Sequence, residues 1–567
     1  MQYKIKIDNR EYSEFTVYDN ILLRPVELKL NPVNHKLFDQ DVFEVTDENV
    51  NIIHSTIRSV KNIPGVLVLE DNKTYGNHNG KPLYRCIPDD RRLPCFLIPH
   101  KHKIGFNKNF KNKYIVFKFQ HWKDKHPRGS IIQVIGEIGI LNNFYEYQLY
   151  CKSLYASIQK FNKDTIKALK YKTEEKYIED MYKKYNPTKI ETDCIFSIDP
   201  KKSTDFDDAF SINKTTICGR EVGYQLSIYI SNVSFWLDHL DLWNSFSDRI
   251  STIYLPDRKR PMLPTILSDA LCSLQEGRWR FALTLNIYFD ENGKIYDTEY
   301  TNTCIKVRKN YVYDEPDLLS SPDYQLLREK VKLLNQHYNY YDSIDTSHDV
   351  VAYLMILMNY HSAKEMVKRK IGIFRSMVMG PSSPYPDNLP KETLKFLKMW
   401  NSSGGMYCKF ENYKSHDFLD FESYVHITSP IRRLVDLLNI IQLQKSLEIT
   451  TMSEDAETFY NKWTSDKMLE YINVTMKNIR KVQNDCNLLK VCYEDKSLPD
   501  KEFDGYLFDK IKRNDGLYQY TVFIDKLKLV NRIVTRNDVD DKSMQKFKIH
   551  IFIDEERLKQ KLRLEII

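Results

Sequence analysis

The chain has 567 residues, of which 42% are hydrophobic and 13% aromatic, and 84 basic against 77 acidic residues leave a net charge of +7. That composition excludes global disorder, and 17 Gly with 21 Pro exclude a low-complexity chain. At about 150 residues per domain the length predicts three to four domains, and the mild basic excess is compatible with a nucleic-acid partner.

Met1 to Tyr12 alternates polar and apolar residues and has no signal-peptide core. Short strand-like runs follow at Tyr3–Ile7, Glu14–Val17, Ile21–Leu30 and Val42–Val45, punctuated by Asn, Asp and Pro. Residues 1–60 therefore read as a small β-module, a partial cold-shock barrel. Residues 61–148 carry stronger β signals at Gly65–Leu69, Phe96–Ile98, Tyr114–Phe119 and Ile131–Ile135, spaced as in a five-stranded cold-shock or OB barrel. Basic and aromatic residues interleave there, with Trp122 the candidate for stacking on a base of single-stranded RNA. The alternative is that such aromatics fill the barrel core. Residues 149–189 read as a helical connector, Lys160–Tyr185, stopped by Asn186-Pro187. A large α+β domain is expected over 190–497, with helices at Val350–Lys370 and Ser429–Leu447. Residues 498–567 return to strands and read as a C-terminal OB-type barrel.

The longest apolar run, near Ala352–Met358, is far too short for a membrane span. Ten Cys occur without a C-x-x-C pair, so reduced thiols and no disulfide-linked partner are expected. The expectation is a soluble intracellular protein, in the cytoplasm first and the nucleus second.

Chemistry concentrates where the large domain opens. The apolar run Cys194-Ile195-Phe196-Ser197-Ile198 ends in Asp199, and Asp205-Phe206-Asp207-Asp208 leads into Ala209-Phe210. Asp205 to Asp208 taken alone reads as a solvated acidic turn, and the Gly and closing Glu of an EF-hand are missing. The flanking hydrophobicity instead puts four acids at a strand end, where their mutual repulsion calls for cations. Oxygen-rich sites of this kind suit Mg2+, and paired divalent ions serve in-line attack on phosphodiesters.

Three further segments accompany it. One is Ser251-Thr252-Ile253-Tyr254-Leu255-Pro256, with Arg260-Pro261-Met262-Leu263-Pro264 and Leu267-Ser268…Leu271-Cys272-Ser273-Leu274. The next is Val307-Arg308-Lys309-Asn310-Tyr311-Val312-Tyr313, and the last runs from Tyr424 through Ser429-Pro430-Ile431-Arg432-Arg433 to Asp436. Ser429 fits an N-cap and Pro430 the first helical position, which would place Arg432 and Arg433 in a first turn where an anion binds. Asp436, four residues after Arg432, is expected to orient it. A plain surface ion pair is the alternative there.

With these four segments in order, the chain resembles the RNB family of 3′-to-5′ exoribonucleases, which includes bacterial ribonucleases II and R and the catalytic subunit of the eukaryotic exosome. Ile87-Pro88-Asp89 to Pro94, Trp122 and Pro127-Arg128-Gly129…Gly136 resemble the second cold-shock barrel of the exosome type. The resemblance covers most of the chain, weakly over 1–60, and no separate PIN-type nuclease domain is seen ahead of it. It implies hydrolysis of single-stranded RNA to nucleoside 5′-monophosphates by a water deprotonated on metal. It implies one or two Mg2+ ions, with Mn2+ as a substitute, on Asp199, Asp205, Asp207 and Asp208. Catalysis would rest on Asp207, Arg432, Asp205 and Tyr313, and RNA contacts on Tyr254, Tyr313, Arg432, Arg433 and Trp122. RNA-decay proteins are the implied partners.

Departures from the family pattern also occur. Tyr229 and Asn232 stand where His and Asp are usual, Ala352 and Tyr353 replace a glutamate pair, and Ile440 and Ile441 replace a His-Arg pair. The alternative reading is therefore a catalytically weakened RNA-binding or assembly factor, with a DNA-directed nuclease as a third.

Overall fold

The computed structural model describes residues 1–46, 49–101, 110–192, 194–217, 221–380 and 389–567. The chain divides into two compact units, one of Met1–Tyr155, Leu255–Arg258 and Arg480–Ile567, the other of Ala156–Tyr254 and Lys259–Ile479.

In the first unit, Phe15–Asp19, Gln2–Ile7, Val42–Thr46 and Asn49–His54 pair in that spatial order as an antiparallel sheet. Strand alternation turns Ile5, Ile7, Val17 and Phe43 inward. The strand expected at Ile21–Leu30 is absent. Asp19 accepts the backbone N–H groups of Ile21 and Leu22, both at 2.8 Å, which closes a turn, and Ile21 to Leu23 stand exposed.

A five-stranded barrel follows, built from Ile63–Leu67, Lys81–Pro88, Phe96–Pro99, Lys113–His121 and Arg128–Glu137. Ile63–Leu67 pairs with both Lys113–His121 and Lys81–Pro88, which closes the barrel. Gly65 permits that closure, because a Cβ there would lie 2.8 Å from Cys86 Sγ. The four-stranded sheet and this barrel share one apolar core. A second five-stranded sheet, Phe503–Lys512, Tyr518–Ile524, Leu529–Thr535, Met544–Asp554 and Lys559–Ile566, forms the C-terminal barrel. Its end strands meet where Asn531 Nδ2 donates to the Leu562 carbonyl at 3.2 Å.

The second unit is built on a mixed sheet in the order Thr188–Lys189, Ile295–Lys306, Trp279–Asp290, Glu221–Ser231, Asp208–Ile217, Phe196–Asp199, Lys309–Val312. Along Glu221–Ser231, Leu226, Ile228 and Ile230 face one core and Tyr229 a smaller cluster behind it. Helices Pro322–Tyr338 and Ser347–Arg369 cover the first face. Helix Leu434–Ser446 is buried nearly all round, which is the packing reason for Ile440 and Ile441. The α+β class with cold-shock/OB barrels is as expected.

The connector is helical, and one helix start is corrected. Lys160–Tyr185 is two helices, Gln159–Ala168 and Glu174–Tyr185, because Thr173 caps a new start by accepting from the Lys176 N–H. Asn186 does end the second, in the left-handed conformation at φ 45°. The helix expected from Ser429 starts instead at Leu434, with Arg433 as its extended N-cap. Tertiary pairing wins over local capping here, since Leu434 N–H donates to the Ile250 carbonyl at 2.9 Å.

Candidate active site

Asp199 ends strand Phe196–Asp199, and Asp208 begins its antiparallel neighbour. The connecting loop is pinned from outside. Phe206 N–H donates to Ser273 Oγ at 3.0 Å, Ser273 Oγ donates to the Thr204 carbonyl at 2.9 Å, and Leu274 N–H donates to the Phe206 carbonyl at 3.0 Å. Asn310 Nδ2 reaches Ser197 Oγ at 2.8 Å and the Leu274 carbonyl at 3.0 Å. Three of the four sequence segments are thereby tied to one another.

The fourth enters through Arg432. Its carbonyl accepts Thr252 N–H at 2.9 Å and Ser251 Oγ at 2.8 Å. Arg432 Nε donates to Asp207 Oδ2 at 3.1 Å, and Ile431 N–H donates to Asp207 Oδ1 at 2.9 Å. Sequence segments more than 200 residues apart thus meet at one carboxylate. Asp436 does not orient Arg432. Its Oδ1 accepts Ser429 N–H at 2.7 Å and Arg433 Nη2 at 2.8 Å, holding the turn before the helix.

The four acids divide into two pairs. Asp207 is engaged on both oxygens, by Arg432 and Ile431. Asp205 accepts Lys259 Nζ on Oδ1 at 2.9 Å and the Tyr254 hydroxyl on Oδ2 at 3.3 Å. Asp199 Oδ2 and Asp208 Oδ2, by contrast, are buried with no hydrogen-bond partner. Among the described residues no three His, Cys, Asp or Glu side chains converge as a ready-made metal cage. Two unsatisfied carboxylates nonetheless fit Mg2+, which uses one or two protein carboxylates and fills its remaining positions with water and substrate phosphate.

Burial pushes the Asp199 carboxyl up to about 7, with the charges of Asp207 and Asp205 adding to it and Ser197 and Arg432 opposing. Burial likewise raises Asp207 to about 7 against the pull of Arg432 and Ile431. Asp208 is raised furthest, by burial and then by Asp199 and Asp207. Burial pulls the Arg432 pKa down, but Asp207, Tyr254 and Asp436 outweigh it, so the guanidinium stays charged. These acids need a cation to ionise together.

All four acids border a cleft of about 720 Å³, which Tyr254, Tyr313, Arg432 and Arg433 also line. Arg432 is 43% exposed toward it, and Tyr254 is 40% exposed. Tyr313 N–H donates to the Asp199 carbonyl at 3.1 Å, and its ring lies 5.3 Å from that of His348. Trp122 is corrected: it is 6% exposed, with its ring 4.9 Å from Phe38 and 6.3 Å from Tyr12 in the N-terminal core, so it offers no face to a base. Ala352 lines the cleft, whereas Tyr353 turns into the core. Tyr229 is buried, its hydroxyl 2.9 Å from Ser211 Oγ, and Asn232 Nδ2 donates to Asn302 Oδ1 at 3.1 Å. Sequence reasoning missed Lys259, Asp269 and His348. Lys259 was findable, since it sits within the second segment and pairs across from Tyr254.

Residues 188–339 match the RNB domain, and residues 83–146 match the Dis3-like cold-shock domain 2 (CSD2). The cold-shock match thus precedes the RNB match along the chain, and the Arg432 segment lies beyond both. Among curated relatives, DIS3-like exonuclease 2 of Caenorhabditis elegans is 25% identical over 259 residues, 43% of this chain and 30% of that protein. The match thus spans less than a third of that relative's length. Two solved structures share the fold. Mycoplasma genitalium RNase R in complex with ribose methylated single-stranded RNA has a TM-score of 0.68 at 16% identity and full coverage of both chains. Yeast Ssd1, a pseudonuclease, has a TM-score of 0.60 at 13% identity, covering 97% of this chain and 80% of its own.

Proposed function

We propose that this chain is a metal-dependent exoribonuclease that shortens single-stranded RNA from its 3′ end and releases nucleoside 5′-monophosphates. The observation that carries the reading is the pair of buried, unsatisfied oxygens on Asp199 and Asp208 in the cleft that Arg432 lines. Asp199 and Asp208 would hold the ion, Mg2+ or in its place Mn2+, which supplies a Lewis acid for the phosphate and for water.

The rest is done by the chain's own groups. Asp207 fixes Arg432 from the Nε side. A guanidinium fixed in this way disperses charge that builds on phosphoryl oxygens during displacement. Asp207 is the acid on which turnover depends, because its loss frees Arg432 and the Ile431 amide together. Tyr254 offers an exposed ring on which any base can stack, which suits a nonspecific exonuclease. Tyr313, beside Asp199, is assigned to the RNA end, and Arg433 supports the turn that carries Arg432.

A second reading has one observation in its favour. Ala352 and the buried Tyr353 leave that stretch of the cleft without the carboxylates usual in the family, which fits a weakened RNA-binding factor, and the fold is shared with a pseudonuclease.

The two are separated by incubating 5′-labelled single-stranded RNA and matched DNA with Mg2+ or chelator, alongside Asp207→Asn. Stepwise shortening of RNA is expected only with Mg2+ and intact Asp207. RNA that stays full length with Mg2+ would sink the enzyme reading, and an Asp207→Asn protein as active as the parent would sink the assigned site.

A further inference from the structure

Lys259 has no part in the proposed reaction, yet its ammonium is fully bonded inside the cleft. An ammonium has three donors. Lys259 Nζ spends them on Asp205 Oδ1 at 2.9 Å, Asp269 Oδ1 at 3.0 Å and Thr204 Oγ1 at 2.7 Å. Thr204 Oγ1 in turn donates to Asp269 Oδ2 at 2.9 Å, which closes a ring. The hairpin pairing of Tyr254 with Lys259 brings the Tyr254 hydroxyl to the second oxygen of Asp205.

Paired-ion phosphodiester chemistry needs carboxylate oxygens for both ions. Of the four clustered acids, Asp199 and Asp208 are the two with an unpartnered buried oxygen. Both oxygens of Asp207 and both of Asp205 are already bonded by protein donors. We infer that Lys259, held by Asp269 and Thr204, is a built-in cation that occupies Asp205 in place of a second metal ion, so that the cleft takes a single divalent ion at Asp199 and Asp208. This rests on the metal-dependent reading given above.

Lys259 is a positioning residue in this scheme. It keeps Asp205 neutralised and fixed whether or not RNA is bound, and it limits how much negative charge a metal meets in the cleft. Burial works against its charge, and the bonds to Asp205 and Asp269 more than restore it.

The test is the number of Mn2+ ions bound per full-length chain, read by titration with electron paramagnetic resonance and without RNA. The intact protein is expected to bind one ion. Lys259→Met is expected to bind a second, with at least a tenfold gain in second-ion affinity, and Lys259→Arg to return to one. Lys202→Met removes the same charge from the same cleft without touching Asp205 and is expected to stay at one. Two ions on the intact protein overturn the inference without any variant, so a poorly folded Lys259→Met does not shield it. An unchanged single ion on folded Lys259→Met, or a second ion on Lys202→Met, overturns the role of Lys259 alone. No ion on the intact protein at millimolar Mn2+ sinks the metal reading itself and the inference with it.

Discussion

Two groups of buried carboxylates in this molecule are treated in opposite ways. In the first unit, Asp89 meets Lys559 Nζ at 2.6 Å, with side chains 11% and 8% exposed, and joins the cold-shock barrel to the C-terminal one. In the second, Asp208 is buried and Asp199 half-buried, and each keeps one buried oxygen with no protein partner. A buried charge without a partner is costly. The first pair therefore holds the fold together, whereas the second carries a cost that is relieved by taking up protons or a cation. The contrast separates structure from function more sharply than counting acids does.

That contrast predicts a graded set of outcomes. Arg432→Ala removes the cation bonded to Asp207 and is expected to lower RNA cleavage by about 1,000-fold or more, the scale of losing an arginine from a phosphoryl-transfer site. Single-turnover cleavage at saturating RNA checks it, and a loss under tenfold would break the assignment. Lys559→Met should act on stability instead. Leaving Asp89 buried and alone is expected to cost about 3–5 kcal/mol, measured by denaturant unfolding, and the added change Asp89→Asn should recover part of it. Tyr254→Ala is expected to weaken single-stranded RNA binding by about 1–3 kcal/mol through lost stacking. Trp122→Ala should leave RNA affinity unchanged while lowering the melting temperature, a split that binding and melting curves read together.

The pH dependence sharpens the same contrast. Asp199 and Asp207 lie at about 7 when folded, against 3.8 for an ordinary aspartate. Between those values the folded chain binds more protons than the unfolded one, so the metal-free protein loses stability as pH rises through that window. A divalent ion relieves the ionised cluster, so Mn2+ should raise the melting temperature more at about pH 8 than at about pH 5.5. Equal gains at both would contradict the cluster's unsatisfied charge.

Much of this was legible beforehand, for local reasons. Gly65–Leu69 and Tyr114–Phe119 stand out as short apolar runs, and Val66–Leu69 and Tyr114–Phe117 are buried at every position. The acids at Asp199 to Asp208 stand out because apolar runs flank them. What was not legible depends on partners distant in sequence. Ile21–Leu30 looks like a strand by composition, but the side chain of Asp19 diverts it into a turn. Ser429-Pro430 looks like a helix start, but the backbone of Ile250 to Thr252 claims residues 432–434 first. Trp122 looked like a stacking platform because no local signal distinguishes an aromatic facing solvent from one facing Phe38. Within the acid cluster, residue type alone could not tell which carboxylates the protein satisfies for itself.

The most direct measurement is the anomalous scattering of Mn2+ soaked into crystals of the full chain. A single peak within reach of Asp199 and Asp208, with Asp207 still on Arg432 and Asp205 still on Lys259, is the predicted result. A peak bound through Asp205 and Asp207, or none in the cleft at saturating Mn2+, would contradict it.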